Sequence, residues 1–436
     1  MEENLHKVHS DNLRKPHINK LLHTLTDITE KAVDLRDEQI ANNPELRRAL
    51  VIVEYFLRKR KRLCYGGMAI NAHLPADKKF YDFSKTIPDY DFFSPTPEKD
   101  ADELVELLTR AKFDNVTNRL GMHEGTYKIF VNYHGIADIT YMTSWLYTRL
   151  SKTSIIDDNI HYVDADYLRM GMYIELSRPR GEVERWDKVY KRLILLNMYK
   201  PVKSQCKEAV STISIPKPIY DVLLKYIVQH KFIFTGAEIA NIYKNPGTKL
   251  TSLLKTTNPI IAYCQDPRTH LSKLRQLIFS VEHKSEIKIV HWERLLDIVP
   301  EMYGIKVDGK LSIILIEELY CYSFNTINIA KYGKLVISSL DTAIALFFTL
   351  SYLRGLDNLV PETVLCFAHR LVNISTETRD KNKPGQFPPF NISCIGHQPT
   401  KETLLKAKAE RIHEYKKGTR KNKKLRPSKK SRRNNL

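Results

Sequence analysis

Residues 63–93 read LCYGGMAINAHLPADKKFYDFSKTIPDYDFF, a glycine pair followed, 22 positions after Gly67, by the first of two aspartates separated by one residue. Gly66 and Gly67 carry no side chain, so backbone N–H groups there can approach phosphate oxygens closely. A helix expected from Met68 to His73 would turn the positive end of its dipole towards them. Asp89 and Asp91 lie in the aromatic-rich run IPDYDFF, which begins after Pro88 and reads as a strand. Alternate residues of a strand share a face, so both carboxylates point the same way. Two anions on one face repel, and a divalent cation held between them removes the repulsion.

Upstream, Asn43 and Pro44 open a helix whose stripe is Leu46, Ala49, Leu50, Val53, Phe56 and Leu57, and the basic run Arg58–Arg62 sits at its negative end. Before it, Ile18, Leu21, Leu22, Leu25, Ile28, Ala32 and Leu35 follow helical spacing and are expected to pack on the body. Downstream, Thr96 caps a helix over Glu98–Lys112. The period then changes to two, which predicts strands at Asn115–Leu120, Thr126–Tyr133 and Gly135–Met142, the last two joined through His134-Gly135. The third of these holds Asp138 among apolar residues. A charge in a half-buried strand needs a partner, and a metal shared with Asp89 and Asp91 supplies one. Asp114 and Asp157 are substitutes, at a helix-strand junction and in a polar loop.

Helices are expected at Ala165–Leu176 and, after a turn at Pro179–Gly181, through to Asn197. The pair Asp164 and Asp166 lacks a preceding Gly-Gly and reads as helix capping. Tyr167 and Tyr173 read as core in preference to stacking partners. Arg178, Arg180, Arg185, Lys188, Lys191 and Arg192 form either a solvated basic face or a site for triphosphate or RNA, with Lys188 the nucleotide-binding candidate. Residues 202–288 are mixed, with helices at Ile219–Gln229 and Leu271–Glu282 and breakers at Pro216, Pro218, Pro246-Gly247 and Pro259. From Glu286 the strand-like runs EIKIV, KLSIILIEE, YCYSFNTI and KLVI suggest a second α/β layer without paired acids. The apolar run Leu335–Leu353 is interrupted by Ser338, Ser339 and Asp341 and reads as a buried helix, not a membrane span. After the Pro-rich loop Lys383–Pro389, a helical piece covers Thr400–Lys416, and the remaining tail is expected to be disordered.

With 42% hydrophobic and 27% charged residues, the 436-residue chain can bury large cores in two or three domains. Its net charge is +19, of which +12 lies between Lys401 and Leu436. A polyanion, nucleic acid before membrane, is the expected partner. The six cysteines show neither metal spacing nor a disulfide framework, and a reducing compartment fits.

A Gly-Gly turn, a helix, a D-x-D strand and a later strand with one more Asp are the parts needed for two-metal nucleotidyl transfer. Two cations about 3.5–4 Å apart need a bridging carboxylate pair, Asp89 and Asp91, and a further ligand, Asp138, for the ion that activates the attacking hydroxyl. The Gly66 and Gly67 amides would hold the outer phosphates. The segments YGGMAIN, PDYDFFSP and ADITYM resemble the catalytic poly(A) polymerases of large nucleocytoplasmic DNA viruses (poxvirus, asfarvirus-like and mimivirus-like) within the DNA polymerase β-like nucleotidyltransferase superfamily. The resemblance covers about Tyr65–Asn197.

It implies an α+β fold: an N-terminal helical region (1–62), a nucleotidyltransferase domain with a mixed sheet (63–200) and an acid-free, transferase-like α/β domain (201–400), followed by the basic tail (401–436). It implies transfer of AMP from ATP to RNA 3′ ends with two Mg²⁺ or Mn²⁺ ions, serving viral mRNA processing. A homodimer is expected before a pairing with a separate processivity subunit, with no membrane partner. The expected location is the viral factory in the host cytoplasm, with the virion as a second. The alternatives are a transferase of other NTP specificity and a non-catalytic RNA-binding subunit with a relic fold. The long Gly67–Asp89 spacer and Met68, in place of the serine of many cellular poly(A) polymerases, favour the viral branch.

Overall fold

The structure is a computed structural model that describes residues 16–83, 85–86, 89–203, 215–244, 259–295, 298–329, 332–353, 356, 359–380 and 387–425. The Pro246-Gly247 breakers, most of the Lys383–Pro389 loop and the tail beyond residue 425 lie outside the described residues. Two compact units divide the chain, Met1–Tyr162 and Val163–Leu436.

The first unit begins with helices α1 (Pro16–Ala41) and α2 (Pro44–Arg60). Asn43 caps α2, its Oδ1 accepting hydrogen bonds from the Glu45 and Leu46 amides, and the expected apolar stripe is buried. The basic run at its end is not simply solvated: Arg58 pairs with Glu54 and Asp158, Arg60 with Glu103, and Arg62 with the buried Asp100 through two hydrogen bonds of 2.6 and 2.8 Å. Helix α1 differs from expectation. Leu21, Leu25, Ile28 and Leu35 are all more than half exposed, so its stripe faces solvent and not the body.

There follow β1 (Leu63–Cys64), α3 (Gly66–Ala72), β2 (Tyr90–Ser94), α4 (Pro97–Arg110), β3 (Thr117–Leu120), β4 (Thr126–Val131), β5 (His134–Tyr141), α5 (Ser144–Thr153), β6 (Ile155–Asp157) and β7 (Ile160–Tyr162). The seven strands form one mixed sheet in the order β3-β4-β5-β2-β1-β7-β6. Strands β2 and β5 are parallel neighbours, and Asp91 stands directly opposite Asp138. The β4–β5 turn is Asn132-Tyr133, both left-handed with φ of 46° and 67°, while His134 and Gly135 already belong to β5. Two central residues at positive φ make the tight hairpin turn whose twist suits paired strands.

In the second unit the order is α6 (Ala165–Leu176), α7 (Trp186–Tyr199), α8 (Lys217–Gln229), β8 (Ile233–Phe234), α9 (Ile239–Lys244), β9 (Ile260–Cys264), α10 (Pro267–Val281), β10 (Ile287–Trp292), β11 (Met302–Val307), β12 (Lys310–Glu317), β13 (Tyr322–Ile329), β14 (Gly333–Ser338), α11 (Leu340–Ser351), α12 (Pro361–Asp380), β15 (Cys394–Ile395) and α13 (Lys401–Leu425). Helices α6 and α7, expected with the transferase sheet, thus fall in this unit. Helix α11 is buried at every position, as its apolar run predicts. The last helix runs on to Leu425, into the stretch expected to be disordered. Cys321 and Cys394 are joined as a disulfide that ties β15 to the start of β13, a crosslink their scattered spacing did not signal.

The second sheet, β10-β11-β12-β9-β8-β14-β13-β15, repeats the first. Its first seven strands take the same spatial order and the same parallel or antiparallel sense at every ladder. The registers align residue by residue: Phe92 opposite Cys64 corresponds to Ala262 opposite Phe234, so Asp91 and Asp138 correspond to Ile261 and Ile314, themselves paired. The acid-free second layer is therefore a transferase-like sheet with isoleucines where the first carries carboxylates.

Candidate active site

Asp89, Asp91 and Asp138 each present a carboxylate oxygen, and the three oxygens lie within 4.8 Å of one another. The sheet does this in two ways. Adjacent parallel strands put Asp91 beside Asp138 in register, and the two-residue period returns Asp89, just ahead of β2, to the same face. Asp89 is exposed, whereas Asp91 and Asp138 are half-buried. Burial pushes the Asp138 carboxyl above the usual carboxylate range and Asp89 adds repulsion, while Lys128 opposes both. The Lys128 ammonium forms an ion pair with Asp138 from the directly opposite position on β4.

Gly66 begins α3 with φ of +69°, a conformation L-residues with side chains rarely take. A Cβ there would collide with the Asp91 carboxylate, so the glycine turn and the acid are in direct apposition. A Cβ on Gly67 would strike the Tyr81 hydroxyl, contributed by the spacer between the turn and Asp89. Asn71 holds that spacer in place, its Oδ1 accepting hydrogen bonds from the Phe80 and Tyr81 amides at 2.8 and 3.2 Å. Tyr65 anchors the turn from the other side: its amide donates to the Asp91 carbonyl, its hydroxyl meets Thr140 Oγ1 at 2.9 Å, and its ring stacks on Phe93 at 4.0 Å.

The glycine turn and all three acids meet as the sequence suggests. Lys188 lies exposed on α7, in the second unit. Among the other basic residues there, Arg185 pairs with Glu182 and Glu175, Lys191 pairs with Asp187, and the Arg178 guanidinium lies 3.6 Å from the Tyr320 ring centre. Asp164 caps α6 by accepting the Tyr167 amide at 2.9 Å, and Asp166 pairs with Arg169 and His369. Tyr167 and Tyr173 are core. Asp157 lies on β6 instead of in a loop and pairs with Lys79 at 3.2 Å. The residues that escaped the sequence reading are Lys128, Asn71 and Tyr81. Lys128 was accessible in principle, because hairpin pairing of β4 with β5 sets it opposite Asp138.

The donor chemistry fits divalent magnesium or manganese: three hard carboxylate oxygens on one sheet face, with a lysine ammonium already paired with Asp138.

A mixed sheet with paired acids on adjacent parallel strands, next to a glycine turn that opens a helix, defines a polymerase β-like nucleotidyltransferase fold. Over 93% of this chain and 84% of the other, the structure is similar to the crystal structure of the Megavirus polyadenylate synthase, with a TM-score of 0.73 and 20% identity. Residues 51–182 match the family model described as poly(A) polymerase catalytic subunit. A protein of Acanthamoeba polyphaga mimivirus with the provisional description poly(A) polymerase catalytic subunit is 29% identical over 51% of this chain and 39% of its own length. One of African swine fever virus, with the same provisional description, is 30% identical over 37% of this chain and 35% of its own length. The chain thus spans well under half the length of these two relatives.

Proposed function

We propose that this protein is a polynucleotide adenylyltransferase, adding AMP from ATP to RNA 3′ ends. The observation that carries the reading is the Asp89–Asp91–Asp138 cluster beside the Gly66 turn. The primer's 3′ oxygen forms a bond to the α-phosphorus, the α–β phosphoanhydride bond breaks, and pyrophosphate leaves. Asp89 and Asp91 would hold both divalent cations, and Asp138 the one nearer the 3′ hydroxyl. When bound, these ions lower the hydroxyl's pKa and neutralise charge on the triphosphate. The Gly66 and Gly67 amides are the proposed contacts of the outer phosphates. Lys128 opposes the effect of burial on the Asp138 carboxyl and so favours its ionised, ligating form. Specificity for ATP rests on what the relatives are called. Extension of an RNA primer with each NTP separately, by the wild type and by Asp91→Ala, tests the reading: incorporation with GTP, CTP or UTP in preference to ATP overturns it.

For assembly we propose a homodimer, acting in the cytoplasmic factory of a large DNA virus. The support is the exposed seam of α1, where Ile18, Leu21, Leu25, Ile28, Ala32 and Leu35 alternate three and four apart. An antiparallel copy would pair Ile18 with Leu35, Leu21 with Ala32 and Leu25 with Ile28, each layer repeated by symmetry. The relatives' description as catalytic subunits favours a second arrangement, with a separate partner, and light scattering of the protein alone decides between them.

A further inference from the structure

The second unit contains a cavity of about 340 Å³ between α6, α7 and α12. Its size suits a small organic ligand, and its lining is mainly apolar with a few placed polar groups, the usual character of such sites. Tyr190 and Met198 come from α7, Tyr173 from α6, and Asn373, Ser375 and Arg379 from α12. Ser375 is 1% exposed, and its hydroxyl converges with the Tyr173 hydroxyl and the Asn197 amide. A hydroxyl can donate one hydrogen bond and accept two, so Ser375 keeps the capacity to pair with a polar edge entering the cavity while Tyr173 adjoins it.

Charge restricts the ligand. The Arg379 guanidinium donates to both Asp341 oxygens, at 2.7 and 2.8 Å, and to the Pro389 carbonyl. Its ring contacts, 4.2 Å from the Phe390 centre and 5.4 Å from that of Tyr190, fix it further. That cation is already neutralised, and no phosphate is called for. The exposed part of the lining is mainly apolar, with Ile194, Met198 and Pro201 beside Thr376. On α7 the residues facing the cavity, Tyr190, Ile194 and Asn197, lie on the side of the helix away from Lys188, since two residues of helix turn the side chain through about 200°.

We propose that this cavity takes a neutral planar heterocycle, an unstacked nucleobase, with its edge on Ser375 and Asn373 and its ring against Tyr190. The choice of nucleobase among neutral heterocycles rests on the RNA-directed function proposed above. Its source is either the bound RNA or a free nucleoside, and the test separates the two.

The full chain, in EDTA so that the acid cluster binds no cation, is titrated with a 15-mer oligoadenylate carrying a fluorescent label, with a fully abasic oligomer of the same length, and with adenosine. Met198→Trp, which fills the mouth without adding charge, and Ser375→Ala are compared with wild type after thermal unfolding shows both are folded. Base stacking contributes about 1–3 kcal/mol per base, so each variant is expected to bind oligoadenylate about ten-fold more weakly while its affinity for the abasic strand is unchanged. Competition by millimolar adenosine assigns the cavity to a free nucleoside, and its absence assigns it to RNA. Equal binding of oligoadenylate by wild type and both variants overturns the proposal, as does an equal loss for the abasic strand. Wild type that binds as expected but extends no primer with any NTP refutes the adenylyltransferase reading and leaves the cavity standing.

Discussion

Asp138 shows how a single position couples fold to chemistry. It is placed by strand register, raised by burial and held by Lys128, so its readiness to ligate a cation depends on pH. A carboxyl with a raised pKa loses its charge as pH falls, and the acid limb of the rate profile should report it. Removing Lys128 takes away the group that lowers this pKa. Lys128→Met is therefore expected to move that limb to higher pH, and an unmoved limb would detach Lys128 from the site. Gly66→Ala forces a Cβ both into a left-handed conformation and onto the Asp91 carboxylate. Strain of about 1–3 kcal/mol is expected from the backbone alone, read as a lower unfolding midpoint, together with loss of primer extension.

Glu238 occupies the equivalent turn of the second sheet. A Cβ on Gly236 would meet its carboxylate, as one on Gly66 would meet that of Asp91. Glu238 is fully enclosed, one of its oxygens has no hydrogen-bond partner among the described residues, and burial pushes its pKa up to about 8. A carboxyl with a folded pKa above its unfolded value is held protonated by the fold, so it removes stability as pH rises from about 4.3 to its folded pKa. Burial first and then the Glu238 charge raise the pKa of the Tyr220 hydroxyl, so the two groups interact. Glu238→Gln should flatten this decline, and parallel stability–pH curves for the two proteins would show that the acid is ionised in the fold.

At the scale of elements, legibility in the sequence followed periodicity. Strands β4, β5, β12 and β14 were readable from their alternation or from apolar runs bounded by turns, and α2 from its cap and stripe. Strand β8 has only two residues, β9 is buried at all five positions and so lacks alternation, and β11 is interrupted by Gly304, over which the Trp292 ring lies. Helix α5 and strands β6 and β7 also passed unread, the last two being three residues each. The partnering of α1 was misjudged because an amphipathic pattern specifies an apolar face without specifying what covers it. On the dimer proposal, Leu25→Asp with Ile28→Asp should halve the mass seen by light scattering while leaving the unfolding midpoint of the body nearly unchanged, because both side chains are exposed in the single chain.

Across the whole molecule, two sheets of one topology have diverged at the positions that matter for chemistry. Three acids and a glycine turn meet in the first, whereas the second has isoleucines at the matching register and a buried glutamic acid at its turn. The acid triad was legible because D-x-D, Gly-Gly and Asp138 are each a local signal. A second, acid-free transferase-like layer was expected from the resemblance and the strand-like runs after Glu286, but its residue-by-residue match to the first was not legible, since that resides in strand order and register. The +12 charge of residues 401–436 belongs to this scale as well. Each phosphate contact releases counterions, so deletion of residues 401–436 should weaken RNA binding and flatten the slope of log affinity against log salt. An unchanged slope would assign the tail to another role.

The most direct test of the central claim is metal-dependent primer extension with ATP, comparing wild type with Asp91→Ala at matched folded concentration. Removal of one electrostatic stabiliser of a transition state commonly lowers rates by ~100- to 1000-fold, and the loss of a shared carboxylate is expected to reach at least that. Extension by wild type with ATP and a loss of this size in the variant is the predicted result. Equal extension by the two proteins would contradict the assignment of the Asp89–Asp91–Asp138 cluster as the catalytic centre.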